Sequence, residues 1–233
     1  MWPLLHHGTA DDTYSLYASP SAIATERAAL LEGARQAVSA TIGAGLGAPA
    51  PLQCERSPGR ELVLTLEAVI EHQMVHPLVA LGRPCLLYGS LVHLQRRAAE
   101  LRPPAACPPV APGTPVLPAL AVPDPWQHLR AAAEAFTLAR TLGEKHLSTS
   151  GGGVTLGASR LYAGRLWLCL ALARKSVSEW VGVLAEALPG LFSDQAVLSV
   201  ADDRELLLAL LSPLRHVGFA LPETAAAARG EGE

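Results

Sequence analysis

His72 and His76 stand four residues apart, the spacing that sets two metal ligands on one face of a helix. Gln73, Met74 and Val75 lie between them, so no glutamate base stands where a metalloprotease motif needs one, and Pro77 breaks the helix just beyond. No third ligand can be named, and no metal is assigned. Glu67 and Glu71 form a carboxylate pair at i, i+4; exposed carboxylates at that spacing are ordinarily solvated. The glycines of Gly43-Ala-Gly-Leu-Gly47 invite a dinucleotide-loop reading, but that loop needs a strand before it and a helix after it. Here a helical pattern precedes and prolines follow. Ser148 and Ser150 lead into Gly151-Gly152-Gly153 without a G-x-S-x-G elbow or a following G-K-[S/T]. His128 and His146 have no cysteine or serine partner at a recognisable spacing. Trp126, Trp167 and Trp180 occupy amphipathic positions and read as core residues before they read as a stacking platform. No catalytic constellation emerges, and neither enzyme activity nor a cofactor is expected.

The totals bound one domain, or one domain with tails. At 233 residues with half of them hydrophobic, the chain can bury one core. Few aromatics beside abundant alanine and leucine favour helix over sheet. A net charge of -3 gives no global attraction to nucleic acid or anionic lipid. Cys54, Cys85, Cys107 and Cys169 are scattered, as free thiols in a reducing cytosol would be. The amino-terminal residues lack a signal peptide's basic start and apolar core. The longest apolar run, Leu166–Ala173, falls short of the ~20 residues that span a bilayer. A soluble cytoplasmic protein is expected, meeting membranes only peripherally and through partners.

The elements follow from caps and stripes. Residues 1–18 lack a period and read as a tail. Ser19-Pro20 is a helix start, and Ile23, Leu30, Leu31, Ala34, Val38 and Ile42 mark the inner face of a helix over 20–42. Residues 43–59 form a Gly/Pro loop. A helix over 60–75 carries Leu62, Leu66, Val69 and Ile70 inward, and a third runs from Pro84 to Leu101. Arg102 to Pro125 contains nine prolines, which exclude helix and internal strand. Within 102–124, Pro109-Val-Ala-Pro112 and Pro112-Gly-Thr-Pro115 fit the bare pattern that an SH3 or WW protein recognises. A plain linker is the other reading. Asp124-Pro125-Trp126-Gln127 starts a helix over 125–142 that buries Trp126, Leu129, Ala133 and Phe136, and a Gly/Ser loop occupies 145–154. Helices over 156–175 and 177–188 come next, the second opened by a Ser176–Glu179 capping box. Another capping box at Asp202–Glu205 opens a helix over 203–220 that Pro213 should kink or split. Residues 222–233 read as a disordered tail.

Gly164, Arg165, Trp167, Ala171, Leu172, Lys175, Ser178, Glu179 and Trp180 reproduce, in order and spacing, a signature of the RUN domain family. Phe192 to Phe219 fits that family's closing section, so the resemblance is specific over about residues 155–221. Upstream it is looser: Ala68–His72 resembles a signature that ends in Glu-His-Gly, with Gln73 in place of the glycine, and Trp126 with Leu129 matches an aromatic W-x-x-L. Beside Arg165, Leu166 replaces the usual alanine.

The resemblance implies an all-α domain of about seven or eight helices over 19–221, with the proline-rich stretch as an insertion. It implies an adaptor or effector for a small GTPase of the Rab, Rap or Arl class in its GTP form, acting in vesicle traffic or signalling, on endosomal, lysosomal or other vesicle membranes. The alternative is a helical scaffold subunit without GTPase contact. On the resemblance, His72 and Arg165 are the partner contacts, with Arg174 and Lys175 extending the basic surface. Replacing His72 and Arg165 together by alanine should then abolish binding and spare the helical melt. The other reading of Arg165 is an internal pairing with Glu179 or a helix terminus.

Overall fold

Ser19 and Pro20 open the first helix as their chemistry requires. The computed structural model describes residues 19–74, 86–101, 126–149 and 156–222. In it, α1 spans Pro20–Gly45, and the Ser19 hydroxyl accepts the Ala22 N–H at 3.2 Å. The tail 1–18, His76, Pro77, Cys85, Cys107, the proline-rich stretch with its PxxP patterns, and residues 223–233 lie outside the described residues.

The described residues hold seven α-helices. After α1 come α2 (Gly59–Glu71), α3 (Leu86–Glu100), α4 (Gln127–Thr149), α5 (Leu156–Ala173), α6 (Val177–Ala187) and α7 (Ala201–Leu211). The architecture is all-α, with one addition that periodicity does not announce. Leu52–Gln53 (β1) pairs in parallel with Phe219–Ala220 (β2), Leu52 opposite Phe219 and Gln53 opposite Ala220. The pairing joins the chain just after α1 to the last of the described residues. Two glycines permit the approach. A Cβ on Gly45 would collide with Val217, and one on Gly59 would lie 2.7 Å from the Gln53 carbonyl oxygen.

The core is built around α5. Every residue from Tyr162 to Leu172 is buried, and Arg165 is paired inside the apolar core. The sequence suggested a stripe of Leu161, Leu168 and Leu172; the helix is covered on all sides, as a helix apolar around its whole circumference must be. α2, α3, α4 and α6 surround it, with β2 against one end. Trp167 donates its indole N–H to the Ala132 carbonyl at 2.9 Å and lies 5.5 Å, centroid to centroid, from the Trp180 ring. Trp167 and Trp180 are 0% and 1% exposed, which meets the expectation that both are core.

Several local expectations give way to tertiary contacts. α2 ends at Glu71, short of residue 75, because Gln73 turns left-handed at φ 53° and Met74 bridges to Phe192. α4 continues through Thr149, so residues 145–149 are helical where a loop is expected. Trp126 is 38% exposed: it stands in the turn ahead of α4, while Leu129, Ala133 and Phe136 are buried. Neither capping box forms. The Ser176 hydroxyl turns back to the Arg174 carbonyl at 3.1 Å, and α7 starts after Val200 with no side-chain cap. Pro213 does split the last helix: α7 stops at Leu211, and a 3-10 turn, Ser212–His216, replaces its continuation.

Candidate protein-interaction surface

Two of the residues singled out from sequence lie inside the domain. Arg165 Nε donates to Glu67 Oε2 at 2.8 Å, and both side chains are 8% exposed. This pairing is internal, as one reading of Arg165 held, but its partner is Glu67 and not Glu179. Glu67 and Glu71 are therefore no solvated pair. Glu71 Oε1 accepts the Leu87 N–H at 2.8 Å and so caps the start of α3. Burial pushes the Glu71 carboxyl up to about 7, with Glu67 adding to the rise and the Leu87 hydrogen bond and Arg165 opposing it.

His72 occupies the C-cap of α2, and its side chain is 1% exposed. Nδ1 accepts the Val197 N–H at 3.3 Å, and Nε2 points toward Glu26 Oε2, 3.9 Å away. Since Nδ1 is the acceptor, the neutral ring carries its proton on Nε2. Burial holds the imidazole below its usual range, against Glu26 and Asp203, which favour the charge, and with Arg27, which opposes it. The next two residues extend this tie: the Gln73 carbonyl accepts the Ser193 N–H at 3.0 Å, and Met74 bridges to Phe192. A partner can meet His72 or Arg165 only through the elements they hold.

His72 ties the end of α2 to the segment that leads into α7, and Arg165 anchors α2, against which α1 packs; α1 and α7 themselves lie side by side. At their leading ends Arg27 pairs with Asp203 and reaches the Gln195 carbonyl at 3.3 Å. Farther along, the seam opens into a groove of about 390 Å³. On α1 it is lined by Arg35, Val38, Ser39 and Ile42, and on α7 and the turn after it by Leu206, Ala209, Leu210 and Pro213. Both sets follow the helical i, i+3/i+4, i+7 spacing. Leu206 is 49% exposed, and the groove is otherwise mostly apolar. Glu32 grips the Arg35 guanidinium through two hydrogen bonds of 2.7 and 2.6 Å and accepts Gln36 at 2.8 Å. Arg35 and Gln36 hold the Glu32 carboxyl down at about 2.

Arg174 and Lys175 are exposed, at the corner between α5 and α6. The corner is a Schellman turn: the Lys175 N–H bonds to the Leu172 carbonyl at 3.0 Å, and the Ser176 N–H to that of Ala171 at 2.9 Å. Lys175 takes the left-handed position at φ 58°. Arg174 lies over the Trp180 ring, 5.9 Å from its centroid. Ser178 donates its hydroxyl to the Leu208 carbonyl at 3.1 Å, which ties the start of α6 to the middle of α7. α7 is thus flanked by the α1 groove and by the helix that leaves the basic corner. The groove went unnoticed in the sequence because its walls lie about 170 residues apart in the chain; the exposed Leu206 among buried leucines is a signal only once the helix is placed.

No group of three or more metal-ligating side chains occurs among the described residues, and no helix there is long and apolar enough to cross a membrane. Residues 61–225 match the family model of the RUN domain. α1 precedes that range, yet it is packed against α2 and α7 within it. No curated protein matches the chain.

Proposed function

Because this chain belongs to the RUN domain family, we propose that it is a non-enzymatic effector or adaptor that docks the GTP form of a small GTPase of the Rab, Rap or Arl class on the α1–α7 surface. The observation that carries the reading is the apolar groove between two helices whose relative placement is fixed from behind. An apolar centre within a polar surround is the usual anatomy of a protein-binding patch. Arg174 and Lys175 border the helix next to α7 and supply cationic charge for an acidic switch region. In this reading His72 serves binding indirectly by tying the lead-in to α7, and Arg165 by anchoring α2, against which α1 packs.

An effector must discriminate between the nucleotide states, since a ligand with equal affinity for two states reports on neither. Binding of GTP- and GDP-loaded members of the three GTPase classes to the purified chain tests the proposal. The expected result is a clear preference for the GTP form of one class. Equal binding of both forms, or none, supports a helical scaffold instead. Recruitment to vesicle membranes would follow from the GTPase, and an SH3 or WW protein at the proline-rich stretch is a separate proposal tested by its own binding assay.

A further inference from the structure

His72 sits where three helices and the segment before α7 converge. It leaves the end of α2, its Nδ1 accepts the Val197 N–H, and its Nε2 faces Glu26 of α1. The charged groups facing it are Glu26 and Arg27 from α1 and Asp203 from α7. From the segment before α7, the group that meets the ring is the Val197 N–H itself. One ring thus holds the segment that leads into α7 and faces α1 across the seam that continues into the groove.

The tie works in one protonation state. A neutral imidazole has a lone pair for Val197; an imidazolium carries N–H on both nitrogens and accepts nothing. Its Nδ1–H would face the Val197 N–H, donor against donor, in a site almost closed to water. Building on the docking surface proposed above, we infer that His72 is a positioning residue for that surface, a neutral tie whose protonation frees the lead-in to α7 and loosens the groove. The sign follows from linkage. A ring that resists protonation when folded takes up its proton more readily once the seam opens, so acid favours the open form and neutral pH the closed one.

Amide hydrogen exchange on the free chain reads the tie directly. Corrected for the intrinsic pH dependence, protection of the Val197 N–H is expected to fall about tenfold from pH 7 to pH 5. His72→Asn offers a carbonyl oxygen near the place of Nδ1 and cannot charge, so its protection should stay level. No loss in the unmodified chain, or the same loss in His72→Asn, overturns the inference. If the variant fails to fold, NMR titration of the His72 ring in the unmodified chain decides. Ring protonation that coincides with loss of Val197 protection supports the tie, and protonation that leaves Val197 protected overturns it. The binding arm uses a GTP-loaded GTPase of the class selected above. Its affinity should fall about tenfold over the same range for the unmodified chain and hold for His72→Asn. Absence of binding at pH 7 counts against the docking surface alone, and the exchange result then stands by itself.

Discussion

Arg165 and Glu67 are 98 residues apart in the chain and meet inside the domain, Nε to Oε2 at 2.8 Å. The pair joins α5, the buried axis of the fold, to α2. The same face of α2 carries Glu71, which caps α3, and its end carries His72, which ties down the lead-in to α7. One internal ion pair therefore anchors α2, the helix that packs against α1 and whose end reaches the lead-in to α7.

Removing one member of such a pair leaves a buried charge without its counter-charge. Arg165→Ala is expected to lower stability by ~3–5 kcal/mol, contrary to the sequence-based expectation that the helical melt would be spared. Glu67→Leu combined with Arg165→Met should cost less than the sum of the single changes. A double-mutant cycle from denaturant melts measures the coupling, and strict additivity would show that the two side chains do not depend on each other.

Glu71 gives a pH signature. Its carboxyl titrates near 7 in the fold and near 4.5 when exposed, so the folded chain holds a proton between those values that the unfolded chain has lost. This contribution to stability falls as pH rises through that window. Glu71→Gln keeps an acceptor for the Leu87 N–H and removes the titration. The variant should gain on the unmodified chain from pH 5 to pH 8, by up to an amount on the order of 3 kcal/mol. Parallel melts of the two chains check this, and a difference that stays constant with pH contradicts it.

Gln73 and Lys175 are the non-glycine residues at positive φ among the described residues. The left-handed conformation costs an L side chain roughly 1–2 kcal/mol, partly offset by the larger entropy that glycine loses on folding. Gln73→Gly and Lys175→Gly are each expected to leave stability unchanged or to raise it by up to ~1 kcal/mol. Thermal melts decide, and a loss above that size would show that the side chain holds the turn.

Trp180 is 1% exposed and lies against Trp167 and beneath Arg174. Trp180→Ala should cost ~3–5 kcal/mol. A loss below ~1 kcal/mol in a urea titration would place the ring in solvent.

What could be read from the sequence was what neighbours in the chain decide. The Ser19 cap, the stripe through Ile23, Leu31, Ala34 and Val38, and the break at Pro213 are local chemistry and appear in the structure. The failures were decided at a distance. Asp202 and Glu205 have the spacing of a capping box that does not form, and Asp203 between them pairs with Arg27. Glu67 and Glu71 look like a solvated helix face until Arg165 and the Leu87 N–H arrive from elsewhere. β1 and β2 are two residues each and carry no pattern of their own. The basic corner was visible as Arg174-Lys175 in the sequence, whereas the groove beside α7 depends on α1 and α7 lying together.

The central claim is that the α1–α7 surface binds a small GTPase in its GTP form, and Leu206 is the residue through which to test it. It lies in the groove and is 49% exposed, so Leu206→Asp should change the melt by no more than ~0.5 kcal/mol. A titration of the GTP-loaded GTPase against the unmodified chain and Leu206→Asp compares the two affinities directly. A loss of tenfold or more in the folded variant is the result predicted here, and unchanged affinity would contradict it by placing the interface on another face.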